Sequence, residues 1–103
     1  MAWLCFNDAF LSVVNHRTDQ NLLVVRARRR EHLTNVFGPS ATIEVTPDRD
    51  YKYRTLADRK KVAYMVASRI QNISYGNFKD SVRSDGLHDL YARLWSLHHQ
   101  YQR

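Results

Sequence analysis

The chain has 103 residues, with sixteen Lys and Arg against ten Asp and Glu, for a formal charge of +6. That length fits one domain that buries roughly 65% of its unfolded surface, enough for a core without disulfide or metal. One cysteine, Cys5, excludes an intrachain disulfide and a four-cysteine zinc site, and three glycines and two prolines exclude a low-complexity chain.

The first third reads as strands. AWLCF is short, apolar and aromatic, Asn7-Asp8 is a turn pair, and FLSVV follows, so residues 2–16 are expected to form a hairpin. The opening lacks a basic start and is interrupted by Asn7 and Asp8, so no secretory signal is expected. After the polar HRTDQN, LLVVRARR alternates, with Leu23, Val25 and Ala27 on one face and Val24, Arg26 and Arg28 on the other. REHLTNVF, residues 30–37, predicts a short helix stopped at Gly38-Pro39.

TIEV predicts a fourth strand, and YKYR a fifth in which Tyr51 and Tyr53 face away from Lys52 and Arg54. Thr55, with Asp58 three residues on, predicts a helix cap. In the helix that follows, Leu56, Val62, Met65, Val66, Ile70 and Ile73 share one arc expected to face the core. YGNFKDSV, residues 75–82, precedes a last helix starting near Asp85-Gly86, whose stripe includes Leu87, Tyr91, Leu94, Trp95, Leu97, His98 and Tyr101. In YGNFKDSV, Gly76 supplies a bend, Asn77 a helix start, and Phe78 with Val82 a packing pair.

The order β-β-β-α-β-β-α-α over residues 1–103 predicts a single α+β domain. Its expected architecture is an antiparallel sheet of about five strands with two long C-terminal helices packed on one face. The other face is expected to stay partly wet.

Several stretches carry a family resemblance: Trp3-Leu4, Phe10 to Val14, Leu23 to Arg28, Asp50 to Arg54, Tyr75 to Asp80, and the helix bearing Tyr91 and Trp95. Together they resemble a family of small bacterial proteins of unknown activity, some carried by phages or mobile elements. The most specific parts are Tyr51-x-Tyr53-Arg54 and Tyr75-x-Asn77-Phe78-Lys79. The resemblance implies one compact domain and no particular mechanism.

No catalytic set emerges from the residues. His88 and His99 stand about 16 Å apart along a helix, too far to share a metal, and His98 with His99 point about 100° apart. His98 is expected to be a core or half-buried histidine. Cys5 lies in an apolar strand and is expected to be a buried, inert thiol. Asp48, Asp50 and Asp58 read as a salt-bridged surface rather than a Mg²⁺ site. No serine has elbow glycines, and no phosphate-binding loop is present. The expectation is a non-enzymatic protein with no cofactor and no metal.

The basic residues carry the functional expectation. Arg26, Arg28 and Arg54 on one sheet face would form a cationic platform, because guanidinium forks grip phosphate or carboxylate. Lys52 joins them by position, and Asn77 and Lys79 are candidates for the same binding surface. The expected partner is an acidic protein surface or a nucleic acid. The plainer alternative is a solvated sheet face whose arginines pair with Glu44 and the loop aspartates, and two functional alternatives stand beside it: an element-encoded inhibitor of the anti-CRISPR kind, and a small RNA- or DNA-binding module. No stretch of about 18 apolar residues is present, so no membrane span is expected. A reducing cytoplasm is the expected compartment. Apolar strand ends leave homodimer formation open.

Overall fold

The structure, a computed structural model, describes residues 1–102. Strands β1 (Ala2–Phe6) and β2 (Ala9–Asn15) form the expected hairpin around Asn7-Asp8. Strand β3 (Leu22–Ala27) pairs with β2, helix α1 (Arg30–Phe37) follows, and β4 (Glu44–Val45) pairs with β5 (Tyr53–Asp58). Helices α2 (Arg59–Gln71), α3 (Phe78–Ser81) and α4 (Asp85–Tyr101) complete the chain. The five strands form one antiparallel sheet in the order β1-β2-β3-β5-β4. The expected α+β class with a five-stranded antiparallel sheet is thus what the structure has.

The placement of the long helices differs from expectation. They lie on opposite faces of the sheet. Ala9, Leu11, Val25, Ala27 and Ala57 pack against Leu33 of α1 and Val62 of α2. Phe10 instead packs against Val82 and against Leu87 and Tyr91 of α4. Neighbouring strand residues point to opposite faces, so Ala9 and Phe10 cannot both be buried by one layer. All four residues from Ala9 to Ser12 are buried, the mark of a strand covered on both sides.

Two boundaries also shift. The cap of α2 is Asp58, not Thr55: the Asp58 carboxylate accepts from the Lys60 N–H at 2.8 Å. Thr55 is buried in β5, where its hydroxyl donates to the Thr42 carbonyl at 2.7 Å. β5 begins at Tyr53, so Tyr51 and Lys52 belong to the preceding turn.

Both long helices bury narrower stripes than their apolar arcs offer. On α2 only Val62 is buried, while Ile70, and Ile73 just past the helix end, are exposed. Its half-buried Arg69 ties the helix to the β1–β2 turn, pairing with Asp8 and donating to the Asn35 carbonyl at 3.0 Å. On α4 Leu87 and Tyr91 are buried, while Leu90, Trp95, Leu97 and Tyr101 are exposed. The Tyr91 hydroxyl lies 2.8 Å from the Phe6 carbonyl and 2.9 Å from that of Ala9, and donates to this pair. It clamps α4 across the hairpin turn.

Candidate functional site

Register decides which arginines meet. Arg26 of β3 stands directly opposite Arg54 of β5, and Ser12 of β2 stands opposite Arg26 on its other side. Trp3 and Glu44 extend this row to the two outer strands. Arg28, two residues beyond Arg26, has the same strand parity. Sheet pairing therefore meets the condition for the platform, bringing Arg54 to the face on which alternation had put Arg26 and Arg28.

Tyr51 is the centre of the cluster. The Arg26 guanidinium lies 4.6 Å from its ring centroid and that of Arg28 lies 4.2 Å from it. The ring is only 3% exposed. Alternation had put Tyr51 on the face opposite Arg54. Because it lies in the turn before β5, it folds onto the arginine side, whereas Tyr53 does face α1 and the core. Cation–π contact of this kind contributes about 0.5–2 kcal/mol per pair and holds each guanidinium flat.

The three arginines differ in their hydrogen bonds. Arg26 Nη2 donates to the buried Ser12 hydroxyl at 2.8 Å, and its Nε–H is buried without an acceptor among the described residues. Arg54 Nε donates to the Thr46 hydroxyl at 3.2 Å and Nη2 to the Tyr51 carbonyl at 3.4 Å. Only Arg28 makes an ion pair, with Asp50 at 3.1 Å, and both side chains are largely exposed. Among the described residues, neither Arg26 nor Arg54 pairs with a carboxylate. Burial, with Arg49 and Arg26 close by, pulls the Arg54 pKa below its ordinary value, although Glu44 acts in the other direction. The cluster is a concentration of like charge held together by neutral donors, acceptors and one aromatic ring.

The other three candidate residues lie elsewhere. The Lys52 ammonium sits 5.5 Å from the Tyr53 ring, which Arg30 also approaches, away from Tyr51. Asn77 caps α3, its side chain accepting from the Asp80 N–H at 3.3 Å. Lys79 lies 4.5 Å from the Trp95 ring. Asn77 and Lys79 line a cleft of about 450 Å³ with Cys5, Tyr91, Trp95 and His98, and no arginine of the cluster lines it. In YGNFKDSV, then, Asn77 caps α3 as expected, and the stretch forms one wall of this cleft.

Two single residues depart from expectation. Cys5 is exposed rather than buried, because α4 covers only part of β1, yet partial burial still pushes its thiol pKa up. His98 is exposed on α4 rather than held in the core. Among the described residues no three His, Cys, Asp or Glu side chains gather where a metal could bind. Also among them, no helix is long and apolar enough to cross a membrane.

Sequence reading had not singled out Ser12 or Tyr51 as partners of the arginines. Ser12 carried a faint signal, as the one polar residue in FLSVV, but its contact with Arg26 needs the β2–β3 register. Fold and site together define a small α+β protein with an arginine-bearing sheet face. No family model, curated protein sequence or solved structure matches the chain.

Proposed function

We propose that this protein is a non-enzymatic interaction module whose arginine face docks an anionic partner surface, on an acidic protein or a nucleic acid. The observation that carries the reading is the Arg26–Arg54 pair. The two residues stand opposite each other in one sheet, and among the described residues neither makes an ion pair with a carboxylate, although Glu44 stands across from Arg54 on β4. Like charges directly opposite across strands destabilise a sheet. An anion placed between them removes that repulsion and meets two fork-shaped donors.

A binding role also suits the thiol. Its pKa is raised by burial, the reverse of what an activated nucleophile needs. The test is binding of labelled polyglutamate and of a thymidine oligonucleotide by fluorescence anisotropy, for the parent chain and for Arg26→Ala/Arg54→Ala. The double variant is expected to bind at least about tenfold more weakly, with a steep salt dependence in the parent. Equal binding by both proteins would remove the arginine face from the argument.

A further inference from the structure

The arginine row is one edge of a larger open surface. α4 covers the part of its sheet face that carries Phe10. Beyond Arg26 and Arg54 the same face continues as Val14, Val24 and Leu56, aligned side by side across β2, β3 and β5. Val14 and Val24 are half-buried, Leu56 is 54% exposed, and none of the three packs into either core cluster. Trp3, at the outer end of the arginine row, is 57% exposed. A row of aliphatic side chains therefore lies uncovered beside Arg26 and Arg54, which among the described residues make no ion pair with a carboxylate.

We infer that this open half of the sheet docks an acidic amphipathic helix of a partner protein. The inference rests on the arginine reading above and specifies its partner. Charge complementarity is the first argument: an apolar stripe flanked by carboxylates satisfies both rows at once.

Dimensions are the second. Strands lie about 4.8 Å apart, so Val14 to Leu56 spans about 10 Å. A helix repeats apolar positions i, i+3 or i+4, and i+7 over about 10.5 Å, which places one against each strand. The arginine row lies two residues along, about 7 Å away, within reach of a glutamate on the helix flank. On the other flank Leu22 pairs with Asp58, and the adjacent Arg59 guanidinium is already engaged by Asn15 and the Gln20 carbonyl, so the partner's carboxylates belong on the arginine side.

Continuity is the third. α4 already lies on this sheet face against Phe10, and the docked helix extends the same layer. Nucleic acid fits the surface less well. Tyr51 is 3% exposed and already stacked with arginines, which leaves Trp3 at the outer end of the row as the exposed ring for base stacking, and a base or phosphate has no use for the aliphatic row.

The test uses the full chain and three probes in fluorescence anisotropy. They are a synthetic helical peptide with a leucine stripe flanked on one side by glutamates, a scrambled isomer of equal composition, and a thymidine oligonucleotide. The proteins are the parent, Leu56→Ser, and Arg26→Ala/Arg54→Ala. The patterned peptide is expected to bind about tenfold more tightly than its isomer. Leu56→Ser is expected to remove most of that preference and leave oligonucleotide binding unchanged, while the double arginine variant weakens every probe. Methyl chemical shifts report the site directly and are expected to move at Val14, Val24 and Leu56.

Equal affinity for the two peptides, or no effect of Leu56→Ser, overturns the helix inference and leaves the arginine reading intact. So does tight oligonucleotide binding without peptide binding. Sedimentation showing a dimer that Leu56→Ser dissolves overturns it in favour of a second copy on this face. No binding by any probe, or no effect of the double arginine variant, overturns both readings.

Discussion

Arg26 and Arg54 face each other across β3 and β5, and the nearest things that hold them are a serine, a threonine, a carbonyl and a tyrosine ring. The arrangement tolerates like charge by sharing it with dipoles and a π-face rather than neutralising it. Its stability therefore responds to ions. Raising salt from low to moderate concentration screens exposed like charges. Thermal denaturation is expected to show the Tm rising by a few degrees with added salt, and by more with tripolyphosphate at equal ionic strength. Arg26→Ala/Arg54→Ala is expected to abolish the extra tripolyphosphate effect.

Tyr51 supports the cluster by area, not by its hydroxyl. The ring is almost wholly buried, and the hydroxyl makes no hydrogen bond among the described residues. Tyr51→Phe is expected to change stability by less than about 0.5 kcal/mol, as a substitution that keeps volume. Tyr51→Ala is expected to cost about 3 kcal/mol, the scale of removing a buried aromatic ring. It is also expected to weaken anion binding, because Arg26 and Arg28 lose the surface that holds them flat. Urea denaturation and anisotropy on the two variants check both statements.

Tyr91 acts in the opposite way, through its hydroxyl. Two carbonyls of the β1–β2 turn share its one proton, and burial raises its pKa above the ordinary tyrosine value, with Cys5 and Asp8 adding to the effect. Tyr91→Phe is expected to cost about 1–3 kcal/mol, because buried acceptors lose their donor. The raised pKa means the folded state holds the proton more strongly than the unfolded chain does. The associated stability is present below pH about 10 and falls as pH rises past it. An alkaline denaturation midpoint that is the same for the parent and Tyr91→Phe would refute this role.

His32 controls the acid side. Its Nδ1 accepts from the Phe10 N–H at 3.3 Å, which requires that nitrogen to be unprotonated. Burial lowers its pKa and outweighs the Phe10 backbone, Glu31 and Asp8, which favour protonation, while Arg29 opposes it. The unfolded chain therefore takes up a proton first as pH falls. Stability from the neutral ring is complete above pH about 6.5 and is lost progressively below it. Tm is expected to fall between pH 7.5 and 5, and His32→Asn is expected to flatten that decline at the expense of stability at neutral pH.

The local pattern was enough to place most elements. Hydrophobic alternation in LLVVRA, the Asn7-Asp8 turn and the α1 stop at Gly38 all sit where local physics puts them, with Gly38 at φ 91 donating to the Thr34 carbonyl. Strand parity likewise put Arg26 and Arg28 on one face of their strand, and the β3–β5 register then brings Arg54 to the same face. Thr55 misled because a cap signal and a strand signal overlap there, and the β5 pairing with β3 decides between them.

The chain by itself determined an α+β domain of five strands with amphipathic helices, because periodicity and turn chemistry act over a few residues. Only the tertiary structure decided that α2 and α4 take opposite faces, that Tyr51 turns in beneath the arginines, and that Lys79 belongs to a different cleft. Which face an apolar stripe covers, and which residues stand opposite one another, depends on pairing between segments far apart in the chain. That pairing is set by the total area buried across the whole sheet, a quantity no local window contains.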